Sequence, residues 1–202
     1  DRGAKNEKFH MLSLCGMAHF DFNAAGAYSY EQALSTILTL KLGHPDLQEL
    51  YRRMVFNVVA RNQDDHTRNI AFIMDQRGMW QLAPAFDMIW AFNPEGRWTN
   101  VHQMRINGKQ DGFTSADLLS VGASYGIKNA KDTIQQVVET VARWPEFASN
   151  AGVSTEMQRA VGSTHRLHLS SPEKEAGVQP GEVRSVALST GDGRGAETSP
   201  SC

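Results

Sequence analysis

Asn62-Gln63-Asp64-Asp65-His66-Thr67-Arg68-Asn69, followed by Ile70-Ala71-Phe72-Ile73-Met74 and closed by Ala83-Pro84-Ala85-Phe86-Asp87, is the stretch on which the fold turns. An apolar helical run leads into this polar knot, a short apolar strand leaves it, and a lone acid stands beyond a turn. Three groups stand out by chemistry: Asp64, Asn69 and Asp87. A carboxylate, a carboxamide and a second carboxylate can together position a hydroxyl and hold magnesium beside a polyphosphate. Taken singly, each is an ordinary polar residue of a helix end or loop; only the combination carries a signal.

Outward from the knot, local rules set the elements. Upstream, Leu47, Leu50, Met54, Val55, Val58 and Val59 recur at helical spacing, with Pro45 in the first turn where a missing N–H costs nothing. This predicts a central buried helix ending near Ala60. Before it, Ser29-Tyr30-Glu31-Gln32 has capping-box form and launches a helix predicted to end at Gly43. His10 to Cys15 is either a short strand or a buried connector. Downstream, Ile70 to Met74 and Met79 to Leu82 flank Asp75-Gln76-Arg77-Gly78 and predict a hairpin.

Residues 88–113 carry little periodicity and predict a long loop, of a length that is usually functional or mobile. Thr114 and Asn129 are expected to cap two further helices, the second stopped by Pro145, with a short helical segment from Glu146 to Ala151. Residues 163–202 are rich in Ser, Gly, Thr, Pro and Glu and hold no aromatic residue. Too little apolar surface is available there to offset ordering entropy, so a disordered tail is expected beyond a domain at 1–162.

Bulk composition excludes several classes. The net charge of −2 over 202 residues gives no global case for binding nucleic acid or an anionic membrane. Cys15 and Cys202 form neither a disulfide framework nor a metal-ligand spacing, which favours a reducing, cytoplasmic setting. No apolar run reaches the roughly 18 residues of a membrane span. His10, His19, His66 and His102 lack the spacing of a zinc helix, and Ser13 and Cys15 lack a nucleophile-elbow context.

The spacing Asp-x-x-x-x-Asn is that of the catalytic loop of protein kinases, where the Asp orients a hydroxyl and the Asn binds a metal. The order helix, loop, hairpin, acid is also the kinase order. Asp64-Asp65-His66-Thr67-Arg68-Asn69 resembles the Asp-x-His-x-Lys-Asn loop of the HipA family of serine/threonine kinase toxins. Leu82-Ala83-Pro84-Ala85-Phe86-Asp87 resembles that family's Leu-x-Pro-x-Tyr-Asp segment, and Met54 to Val59 and Asp1-Arg2 resemble the flanking helix and hinge. The resemblance spans about residues 1–152.

This resemblance implies a mainly α, α+β fold: the helical C-lobe of a protein-kinase-like domain, with a small β-hairpin at the catalytic loop. It implies Asp64 as catalytic base, and Asn69 and Asp87 as Mg²⁺ ligands that bridge the phosphates of ATP. His66 is expected to orient the loop, and Asp65 to face solvent, since only one acid fits the base position. It further implies a protein substrate and a helix-turn-helix antitoxin partner, as in a type II toxin–antitoxin system. Arg97-Trp98 and His102 to Arg105 fall where an activation segment would lie, and are either peptide contacts or ordinary packing.

Two departures are plain. Arg68 stands where the family often has Lys, keeping charge while changing geometry. No glycine-rich loop or strand-borne lysine precedes Asp64, and the run Gly191-Asp192-Gly193-Arg194-Gly195 lacks a phosphate loop's strand and helix. The chain also opens at Asp1 without Met, so the expectation is a C-terminal fragment with the N-lobe absent. Two alternatives stay open: a small-molecule phosphotransferase, and a non-catalytic remnant or interaction module.

Overall fold

Helix α3, His44–Val59, is the axis of the structure. The computed structural model describes residues 8–169. Gly43 precedes the first turn with Pro45 inside it, and Leu50, Tyr51, Met54, Val55, Val58 and Val59 are wholly excluded from solvent. A helix buried along so much of its length needs partners on several sides. Helix α2, Tyr30–Thr39, covers one flank and helix α5, Ala130–Ala142, another.

The Ser29 capping box forms as expected: Ser29 Oγ accepts from Gln32 N, and Gln32 Oε1 accepts from Ser29 N at 2.8 Å. The end of α2 differs from the expectation. The helix stops at Thr39, Lys41 takes a left-handed conformation with φ 56°, and Leu42 N donates back to Ile37 O. Gly43, expected to end α2, instead caps the start of α3. A lysine does there what glycine usually does.

The expected hairpin is one part of a larger sheet. Strands β2, Ala71–Met74, and β3, Trp80–Leu82, pair antiparallel, with Phe72 opposite Leu82. Asp75 Oδ1 accepts from the N–H groups of Arg77 and Met79, and Gly78 supplies the positive φ that closes the turn. Strand β1, His10–Ser13, pairs with the other edge of β2, so the sheet is three-stranded in the order β1-β2-β3. The short helix α1, Leu14–Ala18, follows β1 directly and was not legible from periodicity.

Helix α4, Ser115–Ser124, starts at a second capping box between Thr114 and Asp117. Asn129 precedes α5 without a side-chain cap bond, unlike the cap its residue type suggested. A Cβ at Gly122 would lie 2.6 Å from Ala130 Cβ, so glycine is what lets α4 approach the start of α5. Helices α6, Trp144–Asn150, and α7, Thr155–Gly162, complete the mixed α+β fold of seven helices among the described residues. None of these is long and apolar enough to cross a membrane.

The chain continues in packed form past the expected boundary at 162. Arg166 N donates to Val59 O, Arg61 Nε donates to Thr164 O, and Leu167 and Leu169 pack against the core. Residues 163–169 therefore belong to the folded unit, and the expected disordered tail began too early. The rest of that tail, the glycine run at 191–195 and Asp1-Arg2 lie outside the described residues.

Candidate functional site

The site begins where α3 ends. Ala60 N still donates to Phe56 O, but Arg61 turns left-handed with φ 59° and throws the chain off the helix axis. Gln63 N donates to Ala91 O, and Ala91 N to Arg61 O, which pins the segment after Asp87 to the loop. On the other side Cys15 N donates to Thr67 O and Leu14 N to Ile70 O, so the β1–α1 junction braces the loop from below. The loop then closes on itself: Asn69 N donates to His66 O, and Asn69 Nδ2 to Asp64 O at 3.0 Å.

The two adjacent acids have opposite environments. The Asp64 side chain is 40% exposed, and His66 Nε2 lies 3.8 Å from its Oδ1. Asp65, expected to face solvent, is buried. Its Oδ2 accepts from Tyr30 Oη and from His102 Nδ1, each at 2.9 Å, and its Oδ1 accepts from Gln103 N at 2.8 Å. A buried carboxylate is tolerated only when hydrogen bonds replace its water, and here three donors do so. Asp65 is fully committed to structure, while Asp64 remains open to a ligand.

Asp87 is held from several directions. Asp46 Oδ1 accepts from Leu82 N, and Arg53 Nη2 donates to Ala83 O, so α3 grips the segment just before it. Asn62 Nδ2 donates to Asp87 O at 3.2 Å and to Asn57 Oδ1 at 3.0 Å. Asn57 Nδ2 in turn donates to Tyr30 Oη, which bonds Asp65. One buried chain of polar groups thus ties Asp87 to the loop that carries Asp64. Burial, and then the charge of Asp65, raise the Tyr30 phenol well above its ordinary range. Asp87 itself sits at φ 55°, a left-handed conformation that Asp tolerates better than most residues.

Asn69 and Asp87 line one narrow cleft with Arg53, Asn57 and Asn62, whereas Asp64 lines a separate pocket of about 200 Å³ with Phe22, Asn23, Trp98 and Gln103. His66 borders both. Of the six buried side-chain polar atoms without a partner among the described residues, five belong to Asn62, Gln63, His66 and Thr67. Buried polar atoms of this kind take water or a ligand as partners, and here they gather in one loop.

The donor set suits a hard cation as far as it goes. The Asp87 carboxylate and Asn69 Oδ1 have no hydrogen-bond partner among the described residues, and both are oxygen ligands. No group of three or more His, Cys, Asp or Glu able to hold a metal exists among the described residues. Oxygen donors of this type, lining one cleft, are those magnesium takes when phosphates and water complete its shell.

The expected loop at 88–113 has neither helix nor strand, but it is anchored rather than loose. His102, Gln103, Met104, Ile106 and Phe113 are buried within it. His102 was considered as a surface contact; it is instead wholly buried against Asp65, and its Nε2 lies 3.4 Å from Arg166 Nη1. Trp98 is 48% exposed and keeps a surface role open. Tyr30, Asn57 and His102 were missed as parts of the site, and Asn62 stood in the quoted stretch without an assigned role. Only the polar Asn57 within an apolar helix face was a visible signal.

The model of the HipA-like C-terminal domain family matches residues 1–145. This chain belongs to that family. Its fold is similar to a chain in the Shewanella oneidensis MR-1 toxin–antitoxin complex of HipA, HipB and operator DNA, with a TM-score of 0.61 and 15% sequence identity. The likeness covers 80% of this HipA-like chain and 43% of the Shewanella chain, so the present chain spans less than half of that relative. No curated protein matches the sequence.

Proposed function

We propose that this HipA-like domain is the C-terminal, catalytic-loop lobe of a serine/threonine protein kinase of the HipA toxin type. Asp64 is the group that orients the acceptor hydroxyl and takes its proton. Asn69 and Asp87 are the magnesium ligands on the ATP side. Bound there, magnesium would neutralise phosphate charge during transfer. The observation that carries this reading is the division of labour within one loop. Asp65 is spent on three internal donors, while Asp64, one residue earlier, opens onto a pocket.

The chain's own contribution is positioning. The Asn69 bond to Asp64 O fixes the two residues relative to each other, and Asn62 fixes Asp87 to the same loop. Groups held this way lose little freedom on binding, which is how positioning and electrostatics lower a phosphoryl-transfer barrier. His66, bordering both pockets, stands between acceptor and nucleotide sides. The Shewanella relative is complexed with HipB and operator DNA, which supports a HipB-like, DNA-binding antitoxin as partner for this chain.

The test is transfer of labelled phosphate from Mg²⁺-ATP to serine- or threonine-containing protein, using the chain extended to the length of its structural relative. Replacing Asp64 with Asn should lower transfer by at least about a hundredfold, with an unchanged unfolding midpoint. Full transfer by that variant, or phosphate found on small alcohols and never on protein, would overturn the assignment.

A further inference from the structure

The pocket at Asp64 is walled by two aromatic rings, and each ring carries a guanidinium on its face. Arg68 Cζ lies 4.6 Å from the Phe22 ring centroid, and Arg97 Cζ lies 4.7 Å from that of Trp98. Phe22 and Trp98 both line the pocket. Both arginines are exposed, and neither has a carboxylate partner among the described residues.

An arginine seated on an aromatic face keeps its N–H edge directed outward with part of its side-chain freedom already lost. Such an edge is suited to a carboxylate, which it can engage through two parallel bonds. The wall is rigid as well. Gln103 donates its side-chain amide to Trp98 O, and its backbone N–H donates to the buried Asp65. The two guanidiniums stacked on the lining rings are a local positive charge, since the chain as a whole carries a net charge of −2. The Asp64 carboxylate lining the pocket repels an acid from the hydroxyl position itself, so acids are favoured only to the sides.

We propose that this pocket selects an acidic acceptor peptide, with its serine or threonine at Asp64 and Asp or Glu side chains engaged by Arg68 and Arg97. The assignment rests on the reading of Asp64 as the residue that meets the acceptor hydroxyl. It adds a substrate class: a hydroxyl residue flanked by carboxylates.

Binding can be measured without nucleotide. The probes are synthetic peptides with one serine flanked by glutamates, by alanines or by lysines, titrated against the isotope-labelled chain. The glutamate peptide should move the Trp98 indole and the Arg68 and Arg97 side-chain resonances, and should bind about tenfold more tightly than the alanine peptide. Arg68→Gln and Arg97→Gln should each weaken it about threefold. Roughly 0.5 M salt, with a screening length of about 4 Å, should largely remove the preference. Arg52→Gln, on the exposed side of α3, should change nothing.

Equal affinity for the glutamate and alanine peptides, preference for lysine, or resonance shifts confined to another face would each overturn the assignment. A glutamate preference without any phosphate transfer supports the pocket and counts against the catalytic reading. Transfer that ignores flanking charge does the reverse.

Discussion

His102 Nδ1 donates to Asp65 Oδ2 across 2.9 Å, and both side chains are completely buried. The two residues are 37 positions apart, so the bond staples the irregular 88–113 segment to the loop after α3. Through Tyr30, Asn57 and Asn62 the same acid is linked to Asp87. The loop that carries the proposed base is thereby held from within by its neighbour.

The two adjacent acids should therefore separate cleanly on mutation. Asp65→Asn removes a buried charge from three donors and should cost about 3 kcal/mol, moving the urea midpoint down by about 1–2 M. Asp64→Asn, at a partly exposed side chain, should stay within about 0.5 kcal/mol of the parent. Equal destabilisation by the two would contradict the assigned division.

Tyr30→Phe removes the hydroxyl shared by Asn57 and Asp65 and should cost about 1–2 kcal/mol. Because Tyr30 and His102 meet on the same carboxylate oxygen, a double-mutant cycle with His102→Ala should give a coupling above about 0.5 kcal/mol. Additive effects would mean that the network does not act as a unit.

Arg166 tests the packed end of the chain. Its ion pair with Asp111 is partly buried, and the same guanidinium reaches His102. Arg166→Ala should lower stability by about 1–2 kcal/mol. A midpoint indistinguishable from the parent would show that the Arg166 side-chain contacts add nothing to stability.

Lys41 is exposed and left-handed at the end of α2. Lys41→Gly relieves that conformation and should raise stability by about 0.5–1 kcal/mol despite the added freedom of the unfolded chain. Thermal unfolding would register this as a higher midpoint; a lower one would count against strain at the position.

Asp117 gives the clearest pH signature. Burial alone would raise its carboxyl, but hydrogen bonds from Lys109, Asn107 and Thr114 overcome this and hold it at about 2, below the usual 3.8. The folded-state value is depressed, so the unfolded chain binds more protons between about 2 and 4, and stability falls as pH drops through that window. The contribution is fully present above the ordinary carboxylate value. Asp117→Asn should flatten the acid limb of the stability curve between pH 4 and 2, and an unchanged limb would sink this account.

Much of the framework followed from local chemistry. The capping box at Ser29, the helix start at Thr114, Pro45 in a first turn and the turn over Asp75-Gln76-Arg77-Gly78 need only near neighbours, and each formed where the residues placed it. Asp64, Asn69 and Asp87 drew notice through their spacing alone, and their roles stand as the proposal made above. The misreadings were of another kind. Nothing local distinguishes Asp65 from Asp64, or marks Gly43 as a cap of α3 rather than the end of α2.

The sequence by itself determined α2 to α5 and the hairpin, because those depend on short-range hydrogen bonds and periodicity, while α1 and α7 were not read from it. Only the tertiary structure decided which of two neighbouring acids is free. That choice rests on donors from Tyr30, His102 and Gln103, brought to Asp65 from both sides along the chain. A buried charge is set by whatever partners the fold delivers, and no pattern in the loop's own eight residues, 62–69, records them.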